Sequence, residues 1–428
     1  MKKFVFSVVF LSFSLMIFAS DDLQIAKAFI MNLSTGNFTA AEAMYDEAMM
    51  AALPLSKTET VWNQIEEQVG KFESIEGVSI SNVQNYTVFV FTVKFSKTSL
   101  DVTITIDKNS KVAGLFFKPS APSYSIPPYV DRSKFKIEKT TIGSNLKVPA
   151  EVTIPQGNGP FPAVILIPGS GPENMDESIG PNRPFEDIAY GLSTNGIVVL
   201  RYDKSTYVYP KAFQNGKIPI NIENEYFKDA LDGIKFLKSQ NYVGKIFILG
   251  HSEGGYLAPE ISKMAGNISG IIMLAAPARS LQDVTIDQLE YLISLSSSAT
   301  EISAMKSIIA QLENINKHTL KDSDIVMGAP VSYYYELEKY NPVDILKNLD
   351  IPTLIMQGGK DYQVTEKDFD IFKAAFSQNK NYTFKWYPDL YHLFIKWDGT
   401  PSPDEYLVEG HVDVGVIDEI SKWIKSNP

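Results

Sequence analysis

The stretch that decides the fold runs Lys245-Ile246-Phe247-Ile248-Leu249-Gly250-His251-Ser252-Glu253-Gly254-Gly255-Tyr256. Its apolar start predicts a short buried strand, and the apolar spacing over 256–264 predicts a helix. The glycines between them allow a sharp turn, because a residue without a Cβ lets strand and helix approach closely. Such a turn would expose the Ser252 hydroxyl as a candidate nucleophile. A plain glycine-rich turn is the alternative, and the flanking strand and helix argue against it.

Strands and helices alternate on both sides of this stretch. The predicted strands are 135–142, 146–154, 163–167, 197–201, 245–249, 268–274, 353–357 and 382–387, the first two as an antiparallel pair. The predicted helices are 185–194, 223–240, 256–264, 366–376 and 414–424. This alternation predicts an α/β fold with a mostly parallel, doubly wound sheet.

One long segment, at about 280–346, interrupts the alternation with helical sequence of mixed polarity. An insertion of this size is most simply a helical cap over the strand ends, where it could shape a binding pocket. The cap contains the run Tyr333-Tyr334-Tyr335. We favour packing between cap and core as the role of these tyrosines over direct contact with a substrate.

A nucleophilic serine needs a histidine to accept its proton and a carboxylate to orient that histidine. The chain has four histidines. His251 lies inside the turn and is badly placed as a base, and His318 falls in the predicted cap. His392 follows the last predicted strand, where a loop residue can reach Ser252. We therefore favour His392 over His411, which is better explained as a surface or capping residue.

The candidate acid is Asp361, in the turn after the predicted strand 353–357. The position suits the chain order of serine, acid and histidine that this arrangement uses. The alternative is an aspartate that bonds only the backbone of its own turn. The presence of Ser252 and His392 at other strand ends favours the catalytic interpretation.

The reaction of such a serine also needs backbone N–H donors for the oxygen anion of its intermediate. One donor is expected at Glu253, the residue after the nucleophile. The second is expected in Pro168-Gly169-Ser170-Gly171-Pro172, directly after the predicted strand 163–167. Within that loop we favour Ser170, with Gly171 as the alternative.

A separate α+β domain is predicted at 21–118. Helical spacing over 24–32, 40–52 and 58–72 precedes strand-like sequence over 86–95, 100–106 and 112–117. A linker rich in proline and serine, 119–134, then leads to the α/β domain at 135–428.

The start of the chain predicts an export signal over 1–20, because Lys2 and Lys3 precede an apolar run of about 15 residues, short for a membrane span. We expect cleavage, hence an exported periplasmic or extracellular protein without a permanent membrane span. An uncleaved membrane anchor is the alternative, since Ile17 or Phe18 stands three residues before the candidate cuts. The absence of cysteine excludes a lipid-modified cysteine and a disulfide framework.

Composition argues against several other functions. A formal net charge of −11 would repel phosphate backbones, so we expect no nucleic-acid partner. No motif with metal-ligand spacing is present, and we expect neither a metal nor a cofactor. The charged run Arg201-Tyr202-Asp203-Lys204 is best explained by structural ion pairs near the predicted site.

Taken together, these motifs resemble those of bacterial α/β-hydrolases of the serine esterase type that carry a small N-terminal domain of unknown function. The resemblance rests on residues 168–172, 201–204, 250–255, 360–364 and 392–394. It implies Ser252, Asp361 and His392 as a catalytic triad. Pro168 departs from the pattern, because many members of the wider superfamily have histidine there. The N-terminal part resembles cystatin-like or nuclear-transport-factor-like domains, which implies packing or a homodimer contact.

The sequence therefore predicts a carboxylesterase-like serine hydrolase that cleaves a small-molecule acyl ester through an acyl-enzyme. A peptidase or thioesterase is the alternative among enzymes, because fold and triad leave the scissile bond open. The alternative that is not an enzyme is an exported binding protein without catalytic activity.

Overall fold

The computed structural model describes residues 19–83, 86–120 and 124–427. The chain divides into two compact units, Met1–Ser123 and Tyr124–Pro428. The division falls inside the predicted linker 119–134. The predicted export signal lies outside the described residues except for Ala19 and Ser20, which begin the first helix.

The first unit places helices before an antiparallel sheet. Its helices are α1 (Ala19–Ser34), α2 (Phe38–Glu42), α3 (Glu47–Ala52) and α4 (Leu55–Val69), and its strands are β1 (Phe72–Val83), β2 (Tyr86–Phe95), β3 (Ser99–Ile106) and β4 (Val112–Pro119). The strands pair in chain order. Every second residue of β3 is buried, as expected for a sheet with one face against a core. That core includes Trp62, Phe91 and Ile104.

Three features of this unit differ from the prediction. The strand β1 was not predicted, and the helix predicted over 58–72 instead ends at Val69, before Gly70 with a φ of 91°. The single helix predicted over 40–52 is two helices. The break arises because the backbone between them pairs with β4: the Asp46 N–H donates to Val112, and the Val112 N–H donates to Met44.

The second unit is built on an eight-stranded sheet. Its strands are β5 (Phe135–Ile142), β6 (Val148–Pro155), β7 (Phe161–Ile167), β8 (Val198–Tyr202), β9 (Val243–His251), β10 (Gly270–Leu274), β13 (Thr353–Gly358) and β14 (Tyr382–Tyr387), with the two-residue strands β11 (Ile325–Val326) and β12 (Ala329–Pro330) forming a separate ribbon. The spatial order is β14-β13-β10-β9-β7-β8-β6-β5. All pairs from β14 to β8 are parallel, and β5 and β6 add an antiparallel edge.

Helices cover both faces of this sheet. The α-helices described in this unit are α5 (Pro184–Thr194), α6 (Ser205–Val208), α7 (Pro210–Gln214), α8 (Lys228–Lys238), α9 (Glu253–Ala265), α10 (Leu281–Leu295), α11 (Ala299–Asn316), α12 (Val331–Leu337), α13 (Pro342–Leu346), α14 (Glu366–Phe376) and α15 (Val414–Ser426). The apolar sides of α5 and α15 pack on one face of the sheet, and those of α8, α9 and α14 pack on the other. The layers confirm the predicted fold class.

The segment between β10 and β13 contains α10 to α13, where the sequence predicts a helical cap. It has a small core of its own, which includes Leu312, Ile315 and Tyr334.

The helix predicted over 223–240 starts differently from expectation: Glu223–Phe227 forms a π-helical turn that continues into α8.

Candidate active site

Ser252 lies at the sharp turn between β9 and α9. Its backbone has φ 52° and ψ −122°, a combination that is strained for any residue with a Cβ. The neighbouring glycines are required by close backbone contacts. A Cβ on Gly250 would lie 2.2 Å from the Gly254 carbonyl oxygen, and one on Gly254 would lie 2.3 Å from the Ile167 oxygen. The turn therefore holds the serine in one strained orientation.

The predicted acid and base are in direct contact. His392 Nδ1 lies 2.7 Å from Asp361 Oδ2, and both side chains are buried. Asp361 follows β13 and His392 follows β14, and the carboxyl ends of parallel strands share one edge of the sheet. Because Asp361 engages Nδ1, the Nε2 atom of His392 is the ring nitrogen left to accept a proton.

Three further hydrogen bonds fix the Asp361 carboxylate. The backbone N–H groups of Gln363 and Val364 donate to Oδ1 at 2.8 and 3.0 Å. The side chain of Gln357 donates to Oδ2 at 3.1 Å. Gln357 was not singled out from the sequence, because a glutamine at a strand end carries no distinctive signal.

His251 connects the turn to the loop that carries His392. Its Nε2 donates to the His392 carbonyl at 3.0 Å, and its Nδ1 lies 2.9 Å from Glu177 Oε1. The ring centroids of His251 and His392 are 4.6 Å apart, which places the His392 ring beside the turn that holds Ser252. Burial disfavours the charged ring, but the Glu177 carboxylate raises the pKa of His251 above its ordinary value. With both ring nitrogens engaged, His251 is not available as the base.

The loop after β7 lies against the nucleophile. A Cβ on Gly169 would lie 3.4 Å from the Cβ of Ser252. The Gly169 N–H is already engaged, because it donates to Glu177 Oε1 at 2.6 Å. Glu253 is the first residue of α9, where backbone N–H groups have no partner within the helix. The N–H groups of Ser170 and Glu253 thus remain the predicted donors to the oxygen anion.

Buried charges lie beneath this loop. Lys204 Nζ pairs with Glu225 Oε1 at 2.8 Å, and both residues are buried. Burial raises the pKa of Glu173 to about 8, and the nearby Glu177 adds to the effect. Burial and the Glu225 carboxylate raise the pKa of Glu253 to about 7. The sequence predicted ion pairs for the run 201–204, but it gave no signal for Glu225 as the partner of Lys204.

The same charged run also supplies Arg201, which pairs with Glu151 and Asp176. In the cap, the Tyr333 hydroxyl donates to Glu253 Oε1 at 2.6 Å, so α12 is tied directly to the residue after Ser252. Tyr334 donates to the Val326 carbonyl. Tyr333 packs in the core cluster, as favoured from the sequence, whereas Tyr334 and Tyr335 pack in the cap's own core.

The other candidate histidine, His411, has a different set of partners. Its Nδ1 lies 3.2 Å from Asp187 Oδ1, and its Nε2 lies 3.1 Å from the Ser125 hydroxyl oxygen. Ser125, His411 and Asp187 therefore form a connected serine, histidine and aspartate contact. Ser125, however, lies in the proline-rich segment and not at a turn between strand and helix, and its hydroxyl also donates to Glu409 at 3.0 Å.

Within the described ranges, no three His, Asp or Glu side chains lie so that they could share a metal ion. Across those same ranges, no helix combines the length and apolar character needed to cross a membrane.

The sheet order, with the serine turn at its centre, is that of the α/β-hydrolases. Residues 182–396 match the family described as Serine aminopeptidase, S33, and the chain belongs to that family. Residues 26–115 match a second family, described as Protein of unknown function (DUF3887).

Individual proteins similar to this chain include Esterase EstD of Thermotoga maritima. The two are 40% identical over 419 residues, which cover 97% of this chain and 98% of that relative. A similar solved structure is Est1E from Butyrivibrio proteoclasticus, at 18% identity over 68% of this chain and 98% of that chain, with a TM-score of 0.45. Another is a Pyrobaculum calidifontis esterase, at 19% identity over 68% of this chain and 85% of that chain, with a TM-score of 0.44.

Proposed function

We propose that this chain is a carboxylesterase-like serine hydrolase that cleaves small-molecule acyl esters through an acyl-enzyme. The observation that carries the proposal is the 2.7 Å contact between His392 Nδ1 and Asp361 Oδ2, at the sheet edge where the strained turn holds Ser252. The similarity to Esterase EstD over nearly the whole chain favours an ester as the substrate.

In the first half of the reaction, Ser252 Oγ attacks the acyl carbonyl carbon while His392 Nε2 takes the hydroxyl proton. The Asp361 carboxylate stabilises the imidazolium that forms, because it already accepts the Nδ1 hydrogen bond. The carbonyl oxygen becomes an anion, and the N–H groups of Ser170 and Glu253 stabilise it.

The intermediate then collapses: the bond to the alcohol oxygen breaks, and the alcohol leaves with the proton from His392. The acyl group stays on Ser252 as an ester. In the second half, His392 removes a proton from water, the water oxygen attacks the acyl carbon, and Ser252 regains its proton as the acid leaves.

The test is hydrolysis of p-nitrophenyl butyrate by the purified chain and its Ser252→Ala variant. We expect turnover in the wild type and a loss of about 10⁴-fold or more in the variant, because triad members act as a unit. Ser125→Ala is the matched control, since Ser125 also contacts a histidine and should retain wild-type turnover. Undiminished turnover by Ser252→Ala would refute the proposal.

A peptidase is the second candidate, favoured by the family description Serine aminopeptidase, S33. The fold and the triad suit either scissile bond. Aminoacyl p-nitroanilides of several side chains, assayed beside p-nitrophenyl esters, separate the two. A higher kcat/KM for the anilides would assign the peptidase, and cleavage of the esters alone assigns the esterase.

We also propose that the chain is exported to the periplasm or the cell exterior. The support is the sequence of residues 1–20, with two lysines before an apolar run of about 15 residues. N-terminal sequencing of the protein recovered outside the cytoplasm should begin at Ser20 or Asp21. An intact Met1 on cytoplasmic protein would contradict export, and an intact Met1 in the membrane fraction would assign the uncleaved anchor.

For partners, we propose a homodimer through the N-terminal domain and no affinity for nucleic acid. The first rests on the resemblance of that domain to families with packing roles, and the second on the net charge of −11. Sedimentation of the full chain over a concentration series should show a dimer, and a monomer at every concentration would contradict it.

A further inference from the structure

The peptide bond between Gly169 and Ser170 is held firmly from one side. The Gly169 carbonyl accepts a hydrogen bond from Lys204 Nζ at 3.0 Å and another from the Tyr226 hydroxyl at 2.7 Å. Both donors are buried, with exposures of 0% for Lys204 and 1% for Tyr226. The Gly169 N–H is held separately by Glu177. The loop backbone at Gly169 therefore has little freedom to rotate.

A fixed carbonyl also fixes the next N–H group. A peptide unit is planar, and in its trans form the C=O and the following N–H point in opposite directions. Because Lys204 and Tyr226 draw the Gly169 carbonyl toward themselves, the Ser170 N–H points away from them. Any tilt of the carbonyl would turn the Ser170 N–H by the same angle.

The chemistry of Lys204 and Tyr226 suits a role in orienting the Gly169 carbonyl. Lys204 is paired with Glu225 at 2.8 Å and lies 3.8 Å from the ring centroid of Tyr226. A buried ion pair loses so much hydration that it contributes little net stability. Apolar side chains of similar volume often stabilise a core equally well. Burial and the Glu253 carboxylate raise the pKa of Tyr226, so that its hydroxyl stays protonated as a donor.

We propose that Lys204 and Tyr226 are positioning residues, which aim the Ser170 N–H at the developing oxygen anion through the Gly169 carbonyl. The inference rests on the proposed function, because it takes the Ser170 N–H as the second donor to that anion. Lys204 has an added effect: its charge polarises the Gly169–Ser170 peptide, and hydrogen bonds in a chain strengthen one another. Neither side chain needs to touch the substrate.

The first test is Tyr226→Phe, which removes one hydroxyl and keeps the ring. We expect kcat for p-nitrophenyl butyrate to fall about tenfold with KM changed less than about twofold, because the affected bond strengthens only in the transition state. Tyr202→Phe is the matched control. Tyr202 belongs to the same core cluster and is 1% exposed, and its hydroxyl has no hydrogen-bond partner among the described residues.

The second test is the double variant Lys204→Met with Glu225→Gln, which removes both charges of the ion pair, so that neither partner is left charged without the other. We expect kcat to fall about 100-fold, in the range seen when one donor to the anion is lost. Phenylboronic acid provides a separate readout, because its tetrahedral adduct with Ser252 places an oxygen where the anion forms. Its affinity should fall in parallel with kcat in both tests.

Retention of wild-type kcat and phenylboronic acid affinity by the folded Tyr226→Phe and double variants would overturn the inference. So would an equal loss in Tyr202→Phe, or a loss of kcat that only follows a loss of folded protein in thermal melts. A failure of the proposed function is distinguishable, because then the wild type leaves p-nitrophenyl butyrate intact or Ser252→Ala still turns it over.

Discussion

At the scale of single residues, the Asp361 carboxylate is held by hydrogen bonds from His392, Gln357 and two backbone N–H groups. Its position fixes both the orientation and the tautomer of His392, since the ring donates from Nδ1 to the carboxylate. Replacement by asparagine would keep the shape of the side chain but place an N–H donor near that nitrogen.

We therefore predict that Asp361→Asn lowers kcat for p-nitrophenyl butyrate by about 10³- to 10⁴-fold. The matched control is Asp187→Asn, because Asp187 is fully buried and contacts His411 in the same way. That variant should lose stability and keep its kcat. An Asp361→Asn enzyme within tenfold of the wild type would mean that another group orients His392.

The backbone of Ser252 carries strain that can be measured without any substrate. At φ 52° and ψ −122° a Cβ is unfavourable, whereas glycine adopts such angles at little cost. We predict that the free energy of unfolding in urea is about 1 kcal/mol higher for Ser252→Gly than for Ser252→Ala. This difference is what remains after subtracting the cost of glycine's greater flexibility in the unfolded chain. Both variants lack the hydroxyl, so the comparison isolates the Cβ. Equal stability would show that the turn is relaxed.

Glu253 should make stability depend on pH. Its pKa of about 7 in the folded protein exceeds the ordinary 4.5, because of burial and the Glu225 carboxylate. The folded state thus binds this proton more tightly than the unfolded chain, and the free energy of unfolding falls as pH rises from about 4.5 through 7.

We predict that Glu253→Gln flattens this pH dependence in urea unfolding between pH 5 and 8, since glutamine does not titrate and can still accept the Tyr333 bond. Glu260→Gln on the same helix is the control, because Glu260 pairs with the exposed Lys263. An unchanged slope in Glu253→Gln would assign the pH dependence to other buried carboxyls.

At the scale of elements, the turn between β9 and α9 depends on backbone contacts that cannot move aside. A Cβ on Gly254 would lie 2.3 Å from the Ile167 oxygen and 2.4 Å from the Pro168 oxygen. We predict that Gly254→Ala lowers the free energy of unfolding by at least about 2 kcal/mol.

The matched control for this prediction is Gly244→Ala, on the same strand β9. A Cβ there would meet its nearest atom, the Phe161 oxygen, at an ordinary 3.4 Å. We expect a change within about 0.5 kcal/mol. Equal stability of the two alanine variants in urea unfolding would show that α9 can shift away from β7 without cost.

Elements with a strong apolar signal were the ones that the sequence predicted well. Every strand of the eight-stranded sheet was placed within two residues. The central parallel strands are short apolar runs, which are the clearest signal of a buried strand. In the missed strand β1, Glu, Ser and Asn separate the apolar residues. This strand also forms the edge of its sheet, and few of its side chains reach the core. Helix propensity could not reveal the break between α2 and α3 near Asp46, because that break depends on pairing with the distant Val112.

At the scale of the whole molecule, every residue assigned to the candidate site belongs to the second unit. Residues at strand ends could be predicted because chain order alone brings them to one edge of the sheet. Glu177, Glu225 and Tyr226 could not, since each comes from a loop or helix whose approach to Gly169 is set by tertiary packing. The sequence thus predicted that Asp361 and His392 meet, but not the side chains that hold the backbone at Gly169.

The most direct test of the central claim is the site at which a fluorophosphonate attaches to the full-length protein, read by peptide mass spectrometry. Ser125 contacts His411, which in turn contacts Asp187, so the measurement discriminates between Ser252 and Ser125. We predict one adduct per chain, on the peptide that contains Ser252, and much slower labelling in His392→Asn. An adduct on Ser125, or folded protein that hydrolyses p-nitrophenyl butyrate with Ser252 unlabelled, would contradict it.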